Sequence, residues 1–335
     1  MVEAPASILV YVGLDAVGDG LMKLPFVRAL RAAFPAARIT WMAGKGHTVY
    51  AGVLGPVVAG LVDEVIDDAH VGSRLRELVG RRPLDGRAFD LVIDTQRRLL
   101  TTLILRRIRH RRFLSAAAGF RLSDLRPAAG RVRPPAMVGQ LLALAELAAG
   151  GAVTAAAALP RDAAAEALAD GLLPPGPTYV GFAPGAGGRH KCWPLERYLE
   201  LAAAEAGQGR VPVFFLGPAE ADWAPAVRRA VPHAVLPLQG GHAATPMLTI
   251  ALARRLALAV ANDSGAGHML AAADIPLVSL FGPTPPEKFA PAARRLAVIR
   301  AQAWGGEAME LIPVDAVAAA MAGFQAEHAP VPALL

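Results

Sequence analysis

Short apolar runs followed by helical patterns occur in both halves of the chain, and this order limits the fold more than any other feature. In the first half Ile8–Gly13 is a continuous apolar run, Leu21–Phe34 has apolar residues at helical spacing, and Arg38–Ala43 is a second run. Continuous apolar runs are typical of parallel strands that are buried on both faces. The succession strand, helix, strand therefore predicts a parallel sheet with helices on both sides.

The second half repeats this order after a Pro/Gly stretch at residues 172–177. We expect four strands here, at Tyr179–Ala183, Pro212–Leu216, Leu256–Asn262 and Leu277–Phe281. We expect helices at Leu195–Ala206, Ala221–Ala230, Pro246–Arg254 and Gly267–Ala273, and a last helix from Pro313 to His328. The sequence thus predicts two α/β domains, residues 1–172 and 177–335, with the stretch between them as a linker. Two such halves imply a cleft between domains, which is a common place for a ligand.

Composition narrows the class of protein. In 335 residues there is a single cysteine, Cys192, which excludes an intrachain disulfide and a cysteine-rich metal site. No apolar stretch reaches the roughly 20 residues of a membrane-spanning helix, since polar residues interrupt even the Ala-rich run at 137–159. The first residues lack the basic-then-apolar layout of a secretion signal. We therefore expect a cytoplasmic protein.

Positive charge is concentrated in one segment of the first half. Between residues 97 and 133 one acid, Asp124, stands against eleven arginines: Arg97, Arg98, Arg106, Arg107, Arg109, Arg111, Arg112, Arg121, Arg126, Arg131 and Arg133. A strand at Leu91–Asp94 precedes the segment, and we expect a basic helix from about Arg98. The segment is either a solvated basic face or a surface for a polyanion, such as a phosphorylated glycolipid or the anionic face of the inner membrane. Aromatic residues are too few here to favour nucleic acid.

A turn in the second half has the composition of an anion or sugar site. Asn262-Asp263-Ser264-Gly265 follows a predicted strand and precedes a short helix that contains Gly267 and His268. Free amides and the dipole at a helix start attract phosphate or sugar hydroxyls, and glycine lets a ligand approach the backbone. The alternative is an ordinary helix cap at Asp263 or Ser264 and a histidine buried in the core.

Four further segments occur with this turn in one order, and together they resemble glycosyltransferase family nine, the ADP-heptose:lipopolysaccharide heptosyltransferases. The turn resembles the family's signature from Asn262 to Ala273 and on to Thr284. The others are Gly18-Asp19 with Leu24-Pro25 after the first strand, residues 89–94, the Pro-Gly-Ala segment that ends in Lys-x-Trp-Pro at residues 184–194, and residues 216–220. The resemblance spans nearly the whole chain.

The resemblance implies two Rossmann-like domains that face each other across a cleft, the GT-B architecture. The first domain would bind a glycolipid or oligosaccharide acceptor and the second a nucleotide sugar, with ADP-heptose expected. The final helix would belong to the second domain or pack back on the first. The product would be a lipopolysaccharide or another surface glycan with one more heptose, and the enzyme would lie peripherally on the inner face of the inner membrane.

The resemblance also implies roles for individual residues. Asp19 would be the base that takes the proton of the acceptor hydroxyl, and Lys191 would stabilise the departing diphosphate. A helix cap is the alternative for Asp19, and an exposed surface position is the alternative for Lys191 and for Glu220. The donor site would comprise Gly185, Ala186, Gly187, Gly188, Glu220, Asp263, Ser264, Gly265 and His268. The expected anion-binding residues on the acceptor side are Arg97, Arg98, Arg106 and Arg107.

Two features refine this expectation. The family commonly has a hydroxyl residue where this chain has Gly187, so backbone amides of Gly187 and Gly188 would have to replace one hydrogen bond to phosphate. There is no Asp-x-Asp pair of the kind that chelates a metal with a sugar nucleotide. We therefore expect a metal-independent reaction with no cofactor. The resemblance implies one displacement that inverts the anomeric centre.

Two other functions stay open at this point, and a third is disfavoured. The first is a nucleotide-sugar-binding scaffold without activity, although Asp19 and Lys191 are both present. The second is a sugar-nucleotide epimerase of similar architecture, which would need no acceptor. A nicotinamide dehydrogenase is disfavoured because residues 13–20 do not have the Gly-x-Gly-x-x-Gly spacing.

Overall fold

The computed structural model describes residues 4–326, which divide into two compact α/β units. One unit comprises the chain up to Pro160, and the other begins at Arg161. Within the described residues each unit contains a five-stranded sheet in which all neighbouring strands are parallel. The predicted fold class, two α/β domains with parallel sheets, is confirmed.

The first unit has its strands in the order β3-β2-β1-β4-β5. They are β1 (Ser7–Val12), β2 (Arg38–Ala43), β3 (Glu64–Ile66), β4 (Ala88–Asp94) and β5 (Arg109–Ser115). Its α-helices are α1 (Val17–Ala33), α2 (Gly55–Val58), α3 (Leu99–Leu105) and α4 (Met137–Ala149). Alternate residues of a strand share a face, and Leu9 and Tyr11 of β1 pack with Ile104 and Leu105 of α3. The apolar run of β1 is thus explained by its central place in the sheet.

The second unit has its strands in the order β10-β9-β8-β6-β7. They are β6 (Tyr179–Ala183), β7 (Val211–Phe214), β8 (Leu256–Asn262), β9 (Leu277–Phe281) and β10 (Leu296–Arg300). Its α-helices are α5 (Ala163–Leu172), α6 (Leu195–Gly207), α7 (Ala224–Ala230), α8 (Pro246–Ala253), α9 (Gly265–Ala272), α10 (Pro286–Phe289) and α11 (Val314–Ala326). Buried side chains form a separate cluster on each face of this sheet.

The boundary between the units lies earlier than the Pro/Gly stretch suggested. Helix α5 falls within the range 1–172 that we assigned to the first domain, but it packs against α8 of the second unit. Two ion pairs join them, Arg254 with Glu166 and Arg255 with Asp170. The Pro/Gly stretch is therefore a turn inside the second unit, between α5 and β6.

The last helix also belongs to the second unit. Val317 and Met321 of α11 are buried in the same core cluster as Val278 and Leu280 of β9. Within its described part this helix therefore packs in the core of the second unit. The two predicted helical positions after Ala326 lie outside the described residues.

The basic segment of the first unit is mostly not a helix. Helix α3 is apolar and ends at Leu105. Arg106 and Arg107 follow it, and the basic run Arg109–Arg112 then forms the start of the edge strand β5. Their side chains alternate between exposed and half-buried positions, as the two faces of a strand require. The helix expected from about Arg98 is present as α3, but its residues are apolar and it does not include the arginines from Arg109 on, because the periodicity of that stretch is two rather than 3.6.

No helix within residues 4–326 is long and apolar enough to cross a membrane. The Ala-rich run that comes closest in sequence forms α4, which ends at Ala149. Gly150 follows with a φ of 73°, the left-handed conformation that commonly ends a helix.

Candidate active site

The donor-side candidates lie at the carboxyl edge of the second sheet. The strand order of this sheet reverses between the neighbouring strands β6 and β8, and each of these two strands leads into a loop at that edge. Strand β6 leads to the glycine-rich segment 184–188, and its neighbour β8 leads to Asp263 and α9. Open α/β sheets bind ligands at the carboxyl ends of the strands at this reversal. The fold thus brings together two segments that are about 75 residues apart in sequence.

Asn262 holds these two segments against each other. Its side chain is fully buried, and its amide nitrogen donates to the carbonyl of Pro184 over 2.6 Å. Its amide oxygen accepts from the backbone amide of Trp193 (3.2 Å) and from the hydroxyl of Tyr198 (3.0 Å). Because all three partners belong to the segment after β6 or to α6, Asn262 fixes the spacing between the two loops. The sequence singled out this residue only as part of the turn.

Lys191 and Asp263 meet at this edge. The Lys191 Nζ lies 4.0 Å from an Asp263 carboxylate oxygen, and the two side chains are 33% and 15% exposed. Lys191 ends a single 3-10 turn at residues 189–191, and Asp263 immediately follows β8. A cation held at this distance and still partly exposed is available to an anionic ligand.

The turn at the start of α9 combines a helix cap with tight packing. The hydroxyl oxygen of Ser264 accepts from the amide of Gly267 over 3.2 Å, so the capping interpretation holds for Ser264. A Cβ at Gly267 would lie 3.0 Å from the carbonyl oxygen of Asn262, which explains the glycine. His268 is only 7% exposed and its backbone amide donates to the Ser264 carbonyl. Gly265 is half-buried at the first turn of the helix.

Glu220 lies directly over the glycine-rich segment. A Cβ at Gly185 would lie 2.6 Å from the carboxyl carbon of Glu220, so a larger residue at 185 would displace the Glu220 carboxylate from this position. A carboxylate oxygen of Glu220 also accepts from the amide of Gly217 over 3.1 Å. Ala186 and Gly188 are half-buried in the same segment, and Gly187 is exposed with no atom within 4 Å of an added Cβ.

Two residues beside Glu220 were missed in the sequence. The Arg189 guanidinium lies 4.2 Å above the ring of Trp223 and donates to the Asp222 carboxylate. Since Arg189 also donates to the carbonyl of Ala219, an aromatic face and a cation lie beside the chain that carries Glu220, a residue of the expected donor site. The signal was weak because the helix predicted at Ala221–Ala230 begins with a 3-10 turn, Pro218–Trp223, before α7.

Asp19 of the first unit lies inside the first turn of α1, because the helix begins at Val17 and not at the expected Leu21. Its side chain is exposed and accepts a long hydrogen bond of 3.4 Å from the amide of Ala16. The position of Asp19 is therefore compatible with both interpretations, the helix cap and the base. The hydrogen bond caps the helix start, but it is too long to hold the carboxylate firmly, and the second carboxylate oxygen takes no part in it.

A buried polar group supports that first turn. The Asp15 carboxylate forms an ion pair with Lys23, one helical turn after Asp19, and accepts from the Thr48 hydroxyl (2.9 Å) and the Trp41 indole (3.3 Å). The Asp15 side chain is fully buried. A carboxylate buried beside a cation and two neutral donors fixes the start of α1 against β2 and the loop after it. Sequence reasoning did not identify this group.

A second buried carboxylate, Asp94, ends strand β4 next to β1. Burial raises the pKa of Asp94 to about 6, although hydrogen bonds from Thr102, Ser115 and the amide of Gln96 limit the rise. The distances of these three bonds are 2.6, 2.8 and 2.8 Å. Asp94 therefore orders the segment that follows β4, at the point where the strand order of the first sheet reverses.

The candidate arginines fall into two kinds. Arg106 donates to the carbonyl of Leu122 over 2.5 Å and Arg107 donates to the carbonyls of Glu77 and Gly80, so both brace the fold. Arg97 and Arg98 are exposed. Arg97 lines a cavity of about 210 Å³ whose other lining residues are Ala116, Gly119, Phe120, Pro127, Arg131, Val132, Arg133, Pro134, Gln140, Ala143 and Leu147. The lining is mostly apolar and includes three arginines.

The family model described as "Glycosyltransferase family 9 (heptosyltransferase)" matches residues 79–310. This is more than half of the chain and includes Lys191, Glu220 and Asp263, whereas Asp19 precedes the matched range. The chain belongs to glycosyltransferase family 9. The expected family is confirmed.

Two curated relatives agree with family 9 membership. The chain is 32% identical over 124 residues to lipooligosaccharide heptosyltransferase 2 of Haemophilus influenzae. It is 34% identical over 125 residues to lipopolysaccharide heptosyltransferase 2 of Salmonella typhimurium. Each match covers 36% of this chain and 36% of the relative, so the chain aligns with about a third of the length of these proteins.

Solved structures of family 9 proteins share the fold over nearly the whole chain. A family 9 glycosyl transferase from Veillonella parvula superposes with a TM-score of 0.72 at 20% sequence identity, and the match covers 98% of this chain and 99% of the Veillonella chain. The ADP-heptose lps heptosyltransferase II of E. coli superposes with a TM-score of 0.66 at 22% sequence identity, and the match covers 97% of this chain and 100% of the E. coli chain. The fold of this family 9 chain is therefore that of the GT-B heptosyltransferases, two Rossmann-like domains.

Proposed function

We propose that the chain is an inverting, metal-independent glycosyltransferase that moves heptose from ADP-heptose to a saccharide of bacterial lipopolysaccharide. Family membership and the names of the relatives support this activity and this donor. The observation that carries the proposal is the Lys191–Asp263 pair between two loops that Asn262 holds together. It offers a positive charge and backbone amides where a nucleoside diphosphate would leave.

In this proposal the second domain binds the donor. Lys191 and the amides of Gly187 and Gly188 contact the diphosphate, whose negative charge grows as the glycosidic bond breaks. Glu220 accepts hydrogen bonds from the ribose hydroxyls. Asp263 accepts from hydroxyls of the sugar, and the start of α9 adds the positive end of a helix dipole.

The first domain binds the acceptor and supplies the base. The Asp19 carboxylate takes the proton of the acceptor hydroxyl while its oxygen attacks the anomeric carbon from the face opposite the diphosphate, so one displacement inverts that centre. The exposure of Asp19 and its single long hydrogen bond support this role, because the carboxylate is accessible to an incoming hydroxyl. Arg97 and Arg98, which are exposed, are proposed to meet phosphate groups of the acceptor. The enzyme would then work at the inner face of the inner membrane.

Steady-state kinetics with ADP-heptose and truncated lipopolysaccharide acceptors test the role of Lys191. Lys191→Ala is expected to lower kcat by roughly 100- to 1000-fold, the usual cost of removing one fixed donor to a developing charge. The matched control is Lys288→Ala, an exposed lysine of the same unit whose ammonium group stacks on the ring of Phe289. Equal kinetics of the two variants would refute the assignment.

The same assay separates the alternatives. Loss of activity on adding EDTA contradicts the metal-independent mechanism. A change of the sugar in the absence of any acceptor indicates an epimerase. Nucleotide-sugar binding without turnover, over ADP-, GDP- and UDP-sugars and all acceptors, indicates a scaffold.

A further inference from the structure

Two segments of the first unit, residues 72–82 and helix α3, lie side by side. The hydroxyl of Thr101 donates to the carbonyl of Gly72 over 2.7 Å. The guanidinium of Arg107, just after α3, donates to the carbonyls of Glu77 and Gly80. Because these bonds join the two segments near both ends, their outer sides form one continuous surface.

That surface exposes four large aliphatic side chains. Leu75 is 73% and Val79 87% exposed in the first segment, and Leu99 is 55% and Leu103 37% exposed on α3. Each pair is four residues apart, and in α3 this spacing places both leucines on one face of the helix. Single exposed aliphatic residues are common, but four on two adjoining segments are typical of an interaction site.

Four arginines lie between and beside Leu75 and Val79 in the first segment. Arg74, Arg76, Arg81 and Arg82 are all exposed, and within residues 4–326 none of their guanidinium groups takes part in an ion pair. The one acid between residues 73 and 82 is Glu77. Its carboxylate accepts hydrogen bonds from the backbone amides at 72, 73 and 74 at distances of 2.7, 3.2 and 2.6 Å, so its charge is directed to the backbone.

We propose that this basic aliphatic surface, defined by Leu75, Val79, Leu99, Leu103 and the arginines at 74, 76, 81 and 82, docks on an anionic phospholipid membrane. The aliphatic side chains enter the boundary between headgroups and acyl chains, while the arginines contact the lipid phosphates. The surface has no exposed aromatic ring for a base to stack on, which disfavours single-stranded nucleic acid. The proposal deepens the proposed function, on which it rests, because it assigns the membrane contact to particular residues.

Co-sedimentation of the full chain with vesicles tests the proposal. The vesicles contain phosphatidylcholine with or without phosphatidylglycerol and no glycolipid, so that binding reports the membrane and not an acceptor. The wild type is expected to sediment with the anionic vesicles and to be released by salt. Failure to bind anionic vesicles overturns the proposal.

Two double variants locate the surface. Leu75→Ser with Val79→Ser is expected to weaken binding roughly tenfold through lost aliphatic insertion. Arg81→Gln with Arg82→Gln is expected to weaken it roughly tenfold or more, since each arginine near an anionic surface contributes about fivefold. Both pairs are exposed, so the fold is not expected to depend on them.

The matched control is Val132→Ser. Val132 is 84% exposed and stands between Arg131 and Arg133 in the same unit, but outside the proposed surface. Wild-type binding by this control supports the proposal, whereas a loss equal to that of the double variants, or unchanged binding by the double variants, contradicts it. Transfer to a deacylated acceptor without vesicles is measured in parallel, and its failure contradicts the proposed function without bearing on docking.

Discussion

The substitution Asp94→Asn tests how burial and hydrogen bonding balance at the carboxyl end of β4. Asp94 is completely buried and accepts three hydrogen bonds, and its pKa is raised to about 6. Asparagine has nearly the same shape and no charge. Its amide oxygen can keep the bond from the Gln96 amide, and its amide nitrogen can donate to the hydroxyls of Thr102 and Ser115.

The magnitude follows from the pKa. The pKa of Asp94 is about 6 in the folded protein, against an ordinary value of 3.8. As the pH rises, the carboxyl group ionises first in the unfolded chain, so the free energy of unfolding begins to fall near pH 4 and the loss is complete above pH 6. The full penalty is about 3 kcal/mol at 1.36 kcal/mol for each pKa unit. Between about pH 5 and pH 8 the wild type is therefore expected to lose roughly 1–2 kcal/mol of stability relative to the variant.

Urea unfolding of the two proteins across this pH range measures the difference directly, and other titrating groups cancel in it. The control is Asp90→Asn. Burial raises the pKa of Asp90, but hydrogen bonds from Ser7 and Ala6 outweigh it and hold the pKa below its ordinary value. The stability that the ionised Asp90 contributes is lost only at a pH below about 4. Between pH 5 and pH 8 the difference in unfolding free energy between Asp90→Asn and the wild type is therefore expected to stay constant. A flat difference for Asp94→Asn as well would refute the reasoning.

Two further changes test the site and its support. Gly187→Ser has open space for its side chain; by restoring a hydroxyl it is expected to tighten ADP binding about fivefold, roughly 1 kcal/mol, in calorimetry, and unchanged or weaker binding would contradict the missing hydrogen bond. Asp15→Ala leaves the buried Lys23 ammonium without its ion-pair partner and is expected to cost about 3–5 kcal/mol in urea unfolding. The double variant Asp15→Ala with Lys23→Met is expected to recover part of that loss, and equal losses would show that the charge is not the cause.

The sequence predicted best those strands that are buried on both faces. Tyr179–Ala183, Leu256–Asn262 and Leu277–Phe281 were predicted with the bounds that the structure has, because two covered faces require an uninterrupted apolar run. The edge strands β5 and β10 were missed. An edge strand is partly exposed, so it does not need the uninterrupted apolar run by which a central strand is identified. The first four residues of β5 are basic and none of them is buried.

The site was predictable where a motif is local and not where it depends on packing. The glycine-rich segment and the turn at 262–265 can be identified because each lies within a few residues. The contact of Arg189 with Trp223 and the group around Asp15 join residues between 8 and 34 positions apart. Such pairings depend on the fold, and no short pattern of residues predicts them.

The central claim is that this chain transfers a heptosyl group and that Asp19 is its base. The most direct measurement is the mass of a truncated lipopolysaccharide acceptor after incubation with ADP-heptose and either the wild type or Asp19→Asn. The account predicts a gain of one heptosyl residue with the wild type, and a rate roughly 100- to 10,000-fold lower with the variant while ADP binding is unchanged. An acceptor that gains no heptose from the wild type, or that gains it as fast with the variant, would contradict the account.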